Sequence, residues 1–95
     1  MKRHLFDSIV NQLINKYGIT KEELYEKTKD HSIVNTRYLL FYICSKRNIT
    51  VASMRKLLKS DGFDMTYSTI LKGISAMKER IKEDQDYTKI INEIK

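Results

Sequence analysis

Residues 50–82 read TVASMRKLLKSDGFDMTYSTILKGISAMKERIK. The stretch divides into a short helix from Thr50 to Lys59, a break at Ser60-Asp61-Gly62-Phe63-Asp64, and a longer helix that opens at Thr66-Tyr67-Ser68-Thr69. In the longer helix Ile70, Ile74, Met77 and Ile81 follow 4-3-4 spacing, so they share one face and pack inward. The opposite face then carries Ser68, Thr69, Lys72, Ser75 and Ala76, with Gly73 beside them. A helix that is small, hydroxylated and basic on its outer side can approach a DNA groove closely. Two consecutive helices joined by a turn, the second presenting its start outward, follow the logic of a helix-turn-helix.

Working outward, the remaining segments are helical as well. A first helix is expected from Arg3 to Lys16, with Phe6, Ile9, Val10, Leu13 and Tyr17 inward and Gly18 as a left-handed cap. Thr20 and Glu23 have capping-box spacing and open a short helix from Lys21 to Lys27, in which Leu24 and Tyr25 face the core. After the connector Thr28-Lys29-Asp30-His31, Ser32 is expected to cap a helix from Ile33 to about Lys46. That helix contains Leu39-Leu40-Phe41-Tyr42-Ile43-Cys44, apolar around most of its circumference, and is therefore expected at the centre. Thr50 caps the helix holding Val51, Met54, Leu57 and Leu58, and a final short helix holds Ile90, Ile91 and Ile94. The fold class is all-α: a small bundle of about six helices in one domain over residues 1–95.

Composition narrows the function classes. Absence of Pro and only three Gly in 95 residues favour helices over a turn-rich β fold. No apolar run approaches the roughly eighteen residues of a membrane span, and Asp7, Asn11 and Gln12 interrupt any signal-like run after Met1-Lys2-Arg3-His4. A single cysteine, Cys44, supplies no disulfide framework and reads as a small core residue of a cytoplasmic protein. His4 and His31 are expected at the surface; with Cys44 they give no metal-ligand spacing, and no cofactor or metal is expected. Asp and Glu are scattered without a paired nucleophile or base, so the chain reads as a non-enzyme. Net charge is +6, and residues 37–82 hold ten Lys/Arg against three Asp/Glu. The surplus lies on the central helices, where a phosphate-binding surface needs it.

A resemblance covers most of the chain. Ile9-Val10, Tyr17-Gly18-Ile19-Thr20 and Glu23-Leu24 resemble the opening helices of the C-terminal DNA-binding domain of the bacterial replication initiator DnaA, an all-α, Trp repressor-like bundle. Thr28 to Arg37 resembles that family's basic loop and the element after it. Thr50-Val51-Ala52-Ser53-Met54 stands where the family has Ser/Thr-Leu-Pro-Glu-Ile, and Tyr67 to Ile74 lies over its signature His-Thr/Ser-Thr-Val-Leu-His-Ala. The resemblance implies that Tyr67, Ser68 and Thr69 begin a recognition helix. It further implies that Arg37 contacts DNA backbone or neighbouring bases, Lys29 approaches the minor groove and Val51 meets a thymine methyl. The chain departs from the family in a longer stretch from Lys59 to Thr66, and in Met65, Thr66 and Tyr67 where Arg, Asp and His are usual. The basic loop carries Lys29 and His31 around Asp30 instead of two arginines. No Gly-x-x-x-x-Gly-Lys-Ser/Thr occurs, so the resemblance implies the binding module without the family's ATPase.

Together these readings point to a duplex-DNA binder. Lys46, Arg47, Arg55, Lys56 and Lys72 are the candidate phosphate contacts, and Thr66, Tyr67, Ser68 and Thr69 the candidate base-edge contacts. Tyr67, near a helix start, is read as a contact residue, whereas Tyr17, Tyr38 and Tyr42 are read as core or boundary. Arg37 has a second reading, as a brace for the neighbouring short helix. The rival function is a protein-interaction or structural module of a phage or mobile element that kept the fold and lost DNA recognition, with a partner in replication machinery or phage assembly.

Overall fold

Hydrogen-bonded side-chain caps set where four of the helices begin. The computed structural model describes residues 2–95, and its elements are α1 (Arg3–Tyr17), α2 (Lys21–Tyr25), α3 (His31–Lys46), α4 (Val51–Ser60), α5 (Tyr67–Glu83) and α6 (Asp86–Glu93). Among the described residues there is no strand, so the chain is an all-α bundle. The Thr20–Glu23 capping box forms reciprocally, with both bonds at 3.0 Å. Thr50 and Thr66 accept from the backbone N–H of Ser53 and Thr69, which starts α4 and α5 where a hydroxyl cap should. At α3 the expected cap is displaced: the Asp30 carboxylate, not Ser32, accepts from Ser32 and Ile33 at 2.9 and 3.4 Å. A carboxylate also complements the positive end of the helix, so α3 begins at His31, earlier than the hydroxyl alone would place it.

Helix ends repeat one device. Ile19 N–H donates to the Ile14 carbonyl, Ile49 N–H to Cys44 and Phe63 N–H to Leu58, at 3.0, 3.0 and 2.9 Å. Each is the six-to-one bond of a Schellman motif, and the preceding residue is left-handed: Gly18 at φ 64°, Asn48 at φ 63° and Gly62 at φ 87°. Asn is among the few side chains that tolerate this region. The motif turns the chain sharply and delivers an apolar residue back onto the core; Ile49 and Phe63 are buried and Ile19 half-buried. α2 stops at Tyr25, short of the expected Lys27, because Glu26 is extended at φ −69° and ψ 140°.

The core confirms α3 as the central helix: Leu39, Leu40, Phe41, Ile43 and Cys44 are buried, and α1, α2, α4 and α5 all pack on it. Phe6, Ile9, Val10 and Leu13 of α1 bury as expected, whereas Tyr17, at the last position of α1, is 38% exposed and does not join them. Burial pushes the Cys44 thiol up to about 12, so it remains a neutral core group. Ile70, Ile74 and Met77 bury, and Ile81 is half-buried.

Gly73 is the main correction on α5. It is buried rather than set beside the outer face, because α5 crosses α3 there: a Cβ would lie 2.7 Å from Tyr38 Cδ1 and 3.0 Å from Phe41 Cδ2. Beyond the crossing, Arg80 reaches Asn35 at 2.5 Å and Asn35 donates to the Tyr87 hydroxyl at 2.8 Å, so the C-terminal half of α5 and α6 close over the start of α3.

The close approach at Gly73 gives a stability expectation. Overpacking costs about 1–3 kcal/mol, and the gain in helix propensity returns about 1. Gly73→Ala is therefore expected to lose about 1 kcal/mol, and Gly73→Val more, in urea unfolding. A neutral or stabilised Gly73→Val would show that the crossing is looser than described.

Candidate nucleic-acid interface

The turn between α4 and α5 is tied down at both its charged and its apolar residue. Asp61 receives the Arg3 guanidinium, the Lys21 ammonium at 3.6 Å and the Tyr25 hydroxyl at 3.3 Å. Burial alone would raise the Asp61 carboxyl, but these three partners outweigh it and hold it below the ordinary carboxylate value. Phe63 stacks on Tyr25 with ring centroids 5.2 Å apart at 16°. Loss of water around that cluster, together with Asp61, drives the Tyr25 phenol well above its usual range.

Arg37 belongs to this cluster and not to the exposed face. It is only 7% exposed. Its Nε and Nη2 donate to the Leu24 carbonyl at 3.0 and 2.9 Å, Nη2 also donates to Glu26 at 2.6 Å, and the guanidinium lies 5.0 Å from the centre of the Phe63 ring. The expectation that Arg37 meets DNA is thereby corrected in favour of the brace. Two carbonyls at the end of α2 lack helical partners, and the guanidinium supplies them.

What the turn presents outward is the start of α5. Thr66, Tyr67, Ser68, Thr69 and Lys72 are all exposed, Tyr67 at 49%. The hydroxyls of Thr66 and Thr69 lie 2.8 Å apart and cap the helix, leaving Tyr67 and Ser68 as the outward side chains without a side-chain partner in this turn. Tyr67 and α4 enclose a groove of about 310 Å³ lined by Ala52, Arg55, Lys56 and Lys59. Those α4 positions share one face by i, i+3, i+4, i+7 spacing. Among the described residues no carboxylate pairs with Arg55, Lys56, Lys59 or Lys72.

The other candidates distribute unevenly around this face. Lys46, at the end of α3, is exposed and its ammonium lies 5.5 Å from the centre of the Tyr42 ring. Arg47 is turned to the C-terminal segment, donating to the Ile94 carbonyl at 2.6 Å. Val51 is half-buried, packed against the core at the first turn of α4. Lys29 is exposed in the connector before α3, two residues ahead of His31, which lines a hollow with Arg80 and Tyr87 at the other half of α5. Lys59 was not among the expected contacts, although its spacing from Ala52, Arg55 and Lys56 carries the signal. Leu71, 44% exposed one turn after Tyr67, was likewise not singled out.

No family model, curated protein or solved structure matches the chain.

Two outcomes test the anchoring of the turn. Arg37→Met keeps the side chain's length but orphans the carbonyls of Leu24 and Glu26. It is expected to lose about 2–4 kcal/mol in urea unfolding; a change under about 0.5 kcal/mol would remove Arg37 from the role of brace. Because the native Asp61 carboxyl titrates below its unfolded counterpart, its contribution is complete at neutral pH and is lost as pH falls through about 4 and below. Asp61→Asn is therefore expected to lower stability at pH 7 and to flatten the acid limb of the stability profile; an acid limb identical in the two proteins contradicts this.

Proposed function

We propose that this chain is a non-enzymatic, cytoplasmic module that binds duplex DNA through α4 and α5 in the helix-turn-helix manner. The resemblance to the DNA-binding domain of DnaA suggests a setting in replication initiation control or transcription regulation. The observation that carries the reading is the α4–α5 face itself: an exposed helix start bearing Tyr67 and Ser68, flanked by Arg55, Lys56, Lys59 and Lys72 with no carboxylate partner among the described residues. Cations held free of internal pairing are available to displace counterions from phosphate, which is the main source of duplex affinity. The backbone N–H groups at the start of α5 add a positive partial charge at the same place. Lys46, exposed at the end of α3, is a further candidate phosphate contact, while Arg37 contributes by holding the turn before α5. No helix among the described residues is long and apolar enough to cross a membrane.

A second reading, a protein-interaction module, is favoured by one specific observation. Tyr67 and Leu71, four residues apart on α5, are two of the three exposed large hydrophobic side chains among the described residues. An apolar pair at i, i+4 is a common anchor for a protein partner.

Titration of a labelled random duplex against salt separates the two. With four or five phosphate contacts, log affinity is expected to fall against log salt with a slope of about −4, roughly a two-hundredfold loss between 50 and 200 mM. Replacing Arg55, Lys56 and Lys72 by Ala together is expected to reduce the slope by about 3, since each phosphate contact contributes about 0.9. Absence of binding at low salt, or a slope unchanged by the triple replacement, sinks the duplex reading and leaves the protein-interaction one.

A further inference from the structure

A DNA backbone would not fully use the groove beside Tyr67. Three of its five lining residues, Arg55, Lys56 and Lys59, are cationic, yet the lining is mostly apolar, with Ala52 and Tyr67 completing it. Long basic side chains lay their methylenes along apolar surface while the charged ends remain in water, which produces such a lining. A phosphate engaging the cations would leave the apolar walls wet. Its volume of about 310 Å³ falls at the small end of the range for ligand sites, enough for one bulky side chain rather than a drug-sized molecule.

We propose that this groove docks an acidic peptide segment carrying one large apolar side chain, and that such a segment displaces duplex from the α4–α5 face. The occupant follows from charge complementarity: three lining cations without carboxylate partners among the described residues call for flanking Asp or Glu, and the walls call for an aromatic or aliphatic anchor. Aromatic anchors in small desolvated pockets with a polar rim are where interface energy concentrates. The phenol ring of Tyr67, half in water, gains a stacking partner. Docking stands on the groove alone; displacement rests on the duplex-binding reading, because both ligands would claim Arg55, Lys56 and Lys59.

The test uses the full chain and a labelled decapeptide of Asp and Glu with a central Phe, beside its twin with Ser in place of Phe. At physiological ionic strength the Phe peptide is expected to bind about tenfold more tightly than the twin. Tyr67→Ala is expected to erase that preference, and so is Ala52→Phe, which fills the groove from α4; both positions are exposed, and unchanged thermal melts would establish that the variants fold. Excess unlabelled Phe peptide is expected to release a labelled duplex. Equal affinity for the two peptides, or a preference that survives both variants, overturns the docking site. Tight peptide binding with the duplex still bound overturns displacement. A protein that prefers the Phe peptide but binds no duplex loses the proposed function and keeps the groove.

Discussion

The guanidinium of Arg37 joins three pieces of backbone that have little reason to stay together without it. α2 is five residues long, too short to persist by its own hydrogen bonds, and its last carbonyls have no helical partners. A buried cation, for its part, is costly unless its donors are satisfied. Donation from Arg37 to Leu24 and Glu26 resolves both difficulties at once. The same group lies over Phe63, whose ring stacks on Tyr25, so the end of α2, the middle of α3 and the α4–α5 turn share one cluster. The turn that leads into the exposed start of α5 is thus held by an arginine that points inward.

Much of the bundle was legible because its information is local. Capping residues at Thr20 and Thr50, and the apolar spacing of α1, α3 and α5, act within a turn or two of sequence. The Schellman ends were equally local, yet only Gly18 was read; Asn48-Ile49 and Gly62-Phe63 repeat the pairing of a left-handed residue with an apolar one. What stayed hidden depends on distant partners. Arg37 reaches carbonyls 13 and 11 residues away, and nothing in its own segment tells an inward arginine from a phosphate-binding one. Gly73 sits at the edge of the apolar stripe, and only the position of Tyr38 on another helix decides that it is a crossing point. Of the candidate site, the start of α5 and the α4 cations are exposed together, while Arg37, Arg47 and Val51 are engaged with the protein itself.

The free cations of α4 and α5 owe their freedom to where the acids are engaged. Glu23 and Asp30 cap helices, Asp61 gathers Arg3 and Lys21, Glu93 takes Lys16 at 2.8 Å and Asp84 accepts from the Asp86 N–H at 3.0 Å. Most of these surface pairs add little to stability. They engage Arg3, Lys16 and Lys21 on the α1 and α2 side, and none of them reaches Arg55, Lys56, Lys59 or Lys72. Asp64, exposed in the turn three residues before Tyr67, pairs with no cation among the described residues.

The length of the turn then takes on a structural meaning. Past the left-handed Gly62, residues 63–66 alternate: Phe63 is buried and Met65 half-buried, and Asp64 and Thr66 are exposed. Such alternation is the signature of an extended segment lying on a core, with every second side chain anchored. A slack loop would leave α5 free to swing and would blur any contact made by its first turn. An anchored one fixes where Tyr67 and Ser68 stand, because Phe63 holds one end and the Gly73 crossing holds the helix beyond. Changes at Phe63 or Met65 would therefore tilt the α5 start relative to Arg55, Lys56 and Lys59 without altering a single exposed side chain. The stance of the α5 start is thus set by the buried half of the turn, Phe63 and Met65, rather than by the residues that face outward.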